Sequence, residues 1–412
     1  MTAASPPASS AVPAATTPAM NTTTLPTAPA PSSARRASLT IEGNVLTPQG
    51  FVEGRIEVAN GRIRAIHGRP VSEGDARLSG APLVLPGFID LHVHGGGGFD
   101  TMEGGDAVAH IARLHARHGT TSMLATTMTA PMAELSAAMA AMGESCREHR
   151  SGGAHVLGEH LEGPYINPGK LGAQPDFARP ASVDEVRALH ALAPIRLITL
   201  APELPGNLEL IAPLRAAGFH VQIGHTAGTY EDGVAALDRG ATGFTHLFNA
   251  MSSFQHRAPG IAGAALAHAR YAEIIPDLLH VHPGAIRAAL RAIPCLYCVT
   301  DSTAAAGMPD GEYHLGSHIV RKCLGGVRLA DGTLAGSTLT MDQALRNLVK
   351  LGLSVEDGSR RVATYAADFL GLADRGRLLP ASRADLVVLD ADLNLTHVYV
   401  EGDLIEPDHP DA

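Results

Sequence analysis

No run in the 412 residues approaches the roughly 18 consecutive apolar side chains that a membrane-spanning helix needs, and the longest apolar stretches are broken by Gly, Pro or His. That absence predicts a soluble protein with no membrane partner. Lys/Arg-rich runs are missing too, and the formal charge is -10, so a surface tracking nucleic-acid phosphates is excluded and the acidity reads as solubility. Cysteine is scarce: Cys146, Cys295, Cys298 and Cys323 are too few for a secreted-type disulfide framework. Cys295 and Cys298 lie in a strand-like stretch, where positions i and i+3 face opposite sides, so all four are expected to be reduced and structural. The N-terminus lacks the early basic region and continuous apolar core of a signal peptide, which makes the cytoplasm the expected compartment. There is no repeat of fixed period and no phosphate-loop pattern, HGGGGFD being a weak glycine signal alone.

What is present divides the chain in three. Residues 1–38 are Ala/Pro/Ser/Thr-rich with almost no bulky apolar side chains, so they are expected to be disordered; a start at Met20 would remove half of them. From Leu39, short alternating segments (LTIEGNVLTP, GRIEVANGRIRAIHG, APLVLPGFIDLHVHG) predict a small antiparallel sheet, and ADLVVLDADLNLTHVYVEGDLI repeats the pattern at the far end. Residues 39–84 and 380–408 are therefore assigned to one small β-sandwich domain built from both chain ends. Between them, in residues 85–379, apolar strand-like runs ending near His94, Thr127, Glu162, Glu203, His225, Asn249, His280 and Asp301 alternate with helical stretches such as DAVAHIARLHARHG, MAELSAAMAAMGE and EDGVAALDRG. Eight β-then-α units predict an α/β protein with a (β/α)8 TIM-like barrel, whose chemistry collects at the C-terminal strand ends.

That prediction gives position a meaning. His92 and His94, at strand spacing, point to one side, and Gly95 to Gly98 let the backbone turn and leave room for a ligand. Glu162 in GEHLEGP, His225 in IGHTAGTY and His246 in GFTHLFNAM stand at further strand ends, so four histidines and a carboxylate converge on one rim. Imidazole and carboxylate suit Zn2+, with Fe2+ the alternative, and open positions for water would make the site catalytic. His160 shares a face with Glu162, either supporting it by a hydrogen bond or as a satisfied core histidine. Asp301 in LYCVTDSTAAAG is a turn or cap residue in isolation; at the mouth of a metal-bearing barrel it is the general base and acid for amide hydrolysis.

Together PGFIDLHVHGGGGFD, HLEGPYINPGKLGAQ, GHTAGTYEDGVAALDRGATGFTHLFNAM, HRAPGIAGAAL, VTDSTAAAG and GTLAGSTLTM resemble the N-acetylglucosamine-6-phosphate deacetylases of the amidohydrolase superfamily, in order, from about residue 40 to 405. The resemblance implies that Glu162, His225 and His246 hold the principal metal and that Asp301 is the catalytic acid/base. Some relatives lack HxH and work with one ion; His92 and His94 here imply a second, with Glu162 bridging. By the same likeness Asn249, Ala250, Arg257 and His280 hold the sugar phosphate, part of that pocket coming from a neighbouring subunit of a homodimer. Leu334, Ala335 and Gly336 line the acetyl side, with Ala173 in the loop after HLEGP. Gln174 stands where some relatives have histidine, which removes a charged donor near the carbonyl, a role a second ion would take.

The activity implied is hydrolysis of N-acetyl-D-glucosamine 6-phosphate to D-glucosamine 6-phosphate and acetate, in amino-sugar catabolism. The galacto isomer is the alternative substrate, since no residue in the text decides one hydroxyl. A cyclic amidohydrolase would want a modified lysine on strand four, and IRLITLAPE offers none. A non-catalytic metal-binding scaffold would leave Asp301 without a purpose.

Overall fold

A computed structural model describes residues 38–407; the expected disordered segment, 1–38, lies outside them but for its last residue. Eight short strands carry the central layer: β1 (Phe88–Val93), β2 (Thr120–Thr127), β3 (His155–Glu162), β4 (Ile195–Leu200), β5 (His220–Ile223), β6 (Gly243–Phe244), β7 (Tyr271–Ile274) and β8 (Cys295–Cys298). The first six form one parallel sheet in chain order, and β7 and β8 form a parallel pair. Leu247 N–H donates to the Glu273 carbonyl at 2.9 Å, joining the end of β6 to β7. Asp301 N–H donates to the His92 carbonyl at 2.9 Å, joining the end of β8 to β1. This curled parallel sheet is consistent with a TIM-like barrel. All eight residues of β2 are buried, as expected of a parallel strand covered on both faces.

Helices alternate with the strands. Ala107–Arg117 turns Val108, Ile111, Ala112 and His115 inward at helical spacing and ends before Gly119, where φ is +84° and an added Cβ would meet the Phe88 ring at 2.6 Å. Met132–Arg147 and Tyr230–Asp238 fall where the sequence placed helices, the second opened by a capping box of Thr229 and Asp232. Among the described residues no helix is long and apolar enough to cross a membrane.

The two chain ends share one seven-stranded sheet, made of 39–47, 50–59, 62–70 and 83–86 with 386–389, 395–400 and 403–405. It is mixed rather than purely antiparallel, because Leu83–Pro86 pairs parallel with the first strand and antiparallel with Leu386–Leu389. It is also a single sheet folded over. Ile63 N–H donates to the Ser382 carbonyl at 2.9 Å and Ala384 N–H to that of Gly61 at 2.9 Å, so one edge returns to the start of Leu386–Leu389. Alternation then splits the side chains: Val84, Leu386 and Val388 face a small core with Ile41, Ile56 and Ile63, while Leu83, Leu85, Val387 and Leu389 join the main core.

Four expected strand ends run too far: β4, β6, β7 and β8 stop at Leu200, Phe244, Ile274 and Cys298 rather than near Glu203, Asn249, His280 and Asp301. Pairing fails where the backbone leaves the extended region, at His246 (φ 27°), Phe248 (φ 79°), Ala250 (φ 49°) and Leu278 (φ 67°), and where Pro202 and Pro276 lack an N–H. A three-stranded antiparallel sheet, Gly311–Leu315, His318–Cys323 and Gly326–Arg328, stands after β8 in a stretch from which no strand was expected. The four cysteines are free.

Candidate metal centre

Period-two alternation along β1 puts His92 and His94 on one side, with their Nε2 atoms 3.2 Å apart. Glu162, the last residue of β3, lies between this pair and a second one. Its Oε2 is 3.3 Å from His92 Nε2 and 3.0 Å from His94 Nε2; its Oε1 is 3.1 Å from His225 Nε2 and 3.0 Å from His246 Nε2. His225 and His246 stand 3.0 Å from each other. All five residues are at most 5 % exposed. Asp301 lines the cavity beside the first pair, its Oδ1 3.5 Å from His92 Nε2 and 3.4 Å from His94 Nε2.

Hydrogen positions follow from the outer partners. His225 Nδ1 meets the Lys170 carbonyl at 2.8 Å and His92 Nδ1 meets Glu273 Oε2 at 3.0 Å, both acceptors only, so each Nδ1 carries the proton and each Nε2 presents a lone pair inward. For His92 and His225, lone pairs thus face the Glu162 carboxylate at about 3 Å, while the Nδ1 atoms of His94 and His246 are buried without a partner. A cation satisfies such a donor set, and the ligand atoms of His92, His94 and Glu162, and of Glu162, His225 and His246, lie within 4.8 Å of one another. Without a cation between them, the carboxylate draws protons onto these rings instead. Burial opposes the charge on His92, but Glu162 and Asp301 outweigh it and hold its pKa well above the usual value; His225 is raised in the same way, by Glu162. Burial pushes Glu162 toward the neutral form, yet His92 and His225 hold its carboxyl well below the usual range.

Backbone strain gathers here. His225 (φ 47°), His246 (φ 27°) and Asp301 (φ 49°) all occupy the left-handed region, which turns each chain sharply off its strand. Asp90, inward on β1, ties β1 to the end of the neighbouring β8 by accepting from Thr300 Oγ1 at 2.6 Å, and burial raises its pKa to about 7. The four glycines do only part of what was expected. Gly97 (φ 64°) and Gly98 (φ 87°) make the turn, but none of the four lines the cavity. An added Cβ at Gly95 would meet Ala304 N at 2.5 Å, so this glycine serves close backbone packing rather than ligand room.

The cavity above the floor has a volume of about 190 Å³. Ala173, Asn249, Ala250, His280, Leu334 and Gly336 line it with Gln174. Ala335 is fully buried behind the lining, and Arg257 lies exposed on a loop outside it. The Gln174 amide is held at the cavity wall: Thr129 N–H fixes its Oε1 at 2.6 Å, and one hydrogen of its Nε2 goes to Glu162 Oε2 at 2.7 Å. His160 has both nitrogens engaged outside the ligand set, by the Leu91 carbonyl at 3.1 Å and Thr199 Oγ1 at 2.7 Å. His280 Nδ1 is held by Asp277 Oδ2 at 2.7 Å; burial disfavours its charge, but Asp277 prevails and raises its pKa. Met128, Leu315 and Thr333 also line the cavity, and Glu273 and Asp277 support it; none was singled out in the sequence.

The Amidohydrolase family matches residues 83–405. Among characterised proteins, the N-acetylgalactosamine-6-phosphate deacetylase of Escherichia coli O157:H7 is 39% identical over 372 residues, covering 87% of this chain and 97% of that protein. The N-acetylglucosamine-6-phosphate deacetylase of Lysinibacillus sphaericus is 38% identical over 352 residues, covering 83% and 91%. Of solved structures, the N-acetylglucosamine-6-phosphate deacetylase of Thermotoga maritima superposes with a TM-score of 0.82 at 32% identity, covering 90% of this chain and 100% of that one. A mutant of the Mycobacterium smegmatis enzyme in complex with N-acetyl-D-glucosamine-6-phosphate gives 0.80 at 34% identity, covering 89% and 98%.

Proposed function

This chain belongs to the amidohydrolase family, and from that premise we propose that it is a metal-dependent deacetylase of amino-sugar catabolism. It hydrolyses the acetamide of N-acetyl-D-glucosamine 6-phosphate to D-glucosamine 6-phosphate and acetate. The observation that carries this reading is the double-faced carboxylate: each Glu162 oxygen stands within 3.3 Å of two imidazole Nε2 atoms, at the floor of a cavity that Asp301 also lines. The galacto isomer is the second reading, favoured by the 39% identity to the E. coli protein.

We read the site as holding one ion by Glu162, His225 and His246 and a second by His92 and His94, with Glu162 shared; Zn2+ suits the donors, Fe2+ being the alternative. Such an ion, when bound, lowers the pKa of a water and polarises a carbonyl. The chain's own part is proton handling and positioning. Asp301 takes the proton of the attacking water on its carboxylate and returns it to the departing amine nitrogen. Without that return the amine is a poor leaving group. Asn249, Ala250 and His280 would orient the sugar phosphate, with Leu334, Ala335 and Gly336 on the acetyl side and Ala173 and Gln174 in the facing loop.

Arg257 suits phosphate by its planar fork of donors, yet it is exposed and outside this chain's own cavity. A homodimer in which Arg257 of one copy completes the cavity of the other accounts for both facts. The architecture we assign is a (β/α)8 barrel over 85–379 with a small β domain from 39–84 and 380–408, in the cytoplasm, a compartment that suits four unpaired cysteines. A side-by-side acetate-release assay on the gluco and galacto N-acetylhexosamine 6-phosphates, with metal counted per subunit, tests the proposal. Faster turnover of the gluco substrate is expected; faster turnover of the galacto substrate selects the second reading, and no release from either by metal-loaded protein sinks both.

A further inference from the structure

Beneath the ligand floor the barrel interior holds a chain of polar side chains, all 0 % exposed: His160, Thr199, Thr245, Gln222, Tyr297, Glu273 and His92. The links are close. His160 Nε2 is 2.7 Å from Thr199 Oγ1, which is 2.7 Å from Thr245 Oγ1. Thr245 Oγ1 donates to Gln222 Oε1 at 3.1 Å, Gln222 Nε2 to the Tyr297 hydroxyl at 2.6 Å, and that hydroxyl to Glu273 Oε1 at 3.3 Å. The other oxygen, Glu273 Oε2, accepts from His92 Nδ1 at 3.0 Å and from His246 N–H at 3.2 Å. The circuit closes where the His92 and His160 rings meet edge to face, centroids 4.5 Å apart.

The donors run one way. The single Tyr297 hydrogen is spent on Glu273, so its oxygen accepts from the Gln222 amide, which turns Gln222 Oε1 toward the Thr245 hydroxyl. Every link from Thr245 onward therefore points at one carboxylate, and that carboxylate holds a single ligand side chain, His92. A barrel filled with aliphatic side chains would need none of this, and buried polar groups are costly unless fully paired.

We propose that Glu273 is the positioning residue of the metal centre: it fixes His92 with the proton on Nδ1 and the Nε2 lone pair toward Glu162, and the buried chain behind it holds Glu273 in place. The opposite tautomer would put an N–H between His92 and Glu162 and exclude a cation from that side. The inference rests on the two-ion reading above only for its effect on metal affinity, not for its effect on the ring.

The test uses the full chain with Glu273→Met, similar in length but without a carboxylate, and Glu273→Gln, whose amide oxygen can still accept from His92. Zn2+ alone is titrated by calorimetry into metal-stripped protein, and long-range proton–nitrogen spectra of histidine-labelled protein read the His92 tautomer. In the wild type two binding events and a fixed Nδ1–H His92 are expected. Glu273→Met is expected to weaken one event by about 10- to 100-fold, the range for lost hydrogen-bonding partners of metal ligands, to weaken the other less, through the lost His246 N–H contact alone, and to release the tautomer. Glu273→Gln should recover part of both. Unchanged affinity with a His92 still fixed on Nδ1 in Glu273→Met overturns the proposal. Should Glu273→Met not fold, Glu273→Ala is read in the same way, and unchanged affinity with His92 still fixed on Nδ1 overturns it. A single binding event in the wild type defeats the two-ion reading instead, and the His92 spectrum still judges Glu273.

Discussion

The floor and the rim of the cavity are built on different principles. At the floor, Glu162 and the four histidines sit at or within two residues of strand ends, buried and in contact with one another, so each position is set by barrel pairing and by its neighbours. At the rim, Asn249, Ala250, His280, Leu334 and Gly336 lie on loops, half-buried, placed by turns rather than ladders, and Arg257 lies outside the cavity altogether. A strand can aim a side chain only along its own face, which suits ligands that must meet within a few ångströms. Loops reach further and hold less tightly, which suits a substrate that must enter and leave.

If that division is functional, floor and rim substitutions should separate in kinetics. The largest effect is expected from Asp301→Asn, which keeps the side-chain shape but cannot accept the water proton: turnover should fall by about 10²- to 10⁴-fold while metal content stays at the wild-type level. A variant that retains activity removes Asp301 from the proton path. One that loses metal together with activity moves it among the ligands.

A smaller and different effect is expected at the rim. His280→Asn removes a cationic donor held by Asp277 at 2.7 Å, and a hydrogen bond to a charged group is worth about 1.5–3 kcal/mol, so KM should rise roughly ten- to a hundredfold with kcat changed less. The pH sign follows from the raised pKa of His280, which Asp277 and Asp301 favour and Arg328 opposes. The cationic ring is present below that raised value and lost above it, so wild-type KM should climb as pH rises through it, and the His280→Asn profile should lack that climb. A kcat loss with constant KM would erase the distinction between floor and rim.

The same distinction explains what could be read from the sequence. His92, His94, Glu162, His225 and His246 were legible because strand alternation and the barrel rule fix where strand-end side chains go. Asn249 and His280 came from resemblance alone, and the strand ends drawn near them overshoot because LFNAM and IPDLLHVH continue the apolar pattern after the backbone has turned. Glu273, Gln222 and Tyr297 escaped notice for a different reason. In YAEI, HVQI and CLYC a polar residue among apolar neighbours reads as the solvent face of a half-buried strand, whereas both faces of a barrel strand are covered and the polar residue points into the interior. Arg257 was legible as a phosphate-binding type, but a sequence carries no sign of which copy's cavity it completes.

The finest test concerns strain, which floor and rim share. His225, His246 and Asp301 cannot lose their side chains without losing their roles, but Ala250, also left-handed at φ 49°, contributes mainly its backbone, whose carbonyl accepts from Thr226 N–H at 3.0 Å. A non-glycine residue in that region costs about 1–2 kcal/mol, and glycine returns roughly 0.5–1 kcal/mol of this as added chain entropy in the unfolded state. Ala250→Gly should therefore stabilise the fold by at most about 1 kcal/mol, read as a shift in the denaturant midpoint. Ala381, at φ 72° in the segment paired with the seven-stranded sheet, is the matched control and should gain about as much. A rise in KM is expected for Ala250→Gly alone, because a loosened turn orders the rim less well before substrate arrives. Equal stability gains with KM unchanged in both would mean that the strain at the rim is a by-product of the turn, and that only the floor puts its left-handed residues to use.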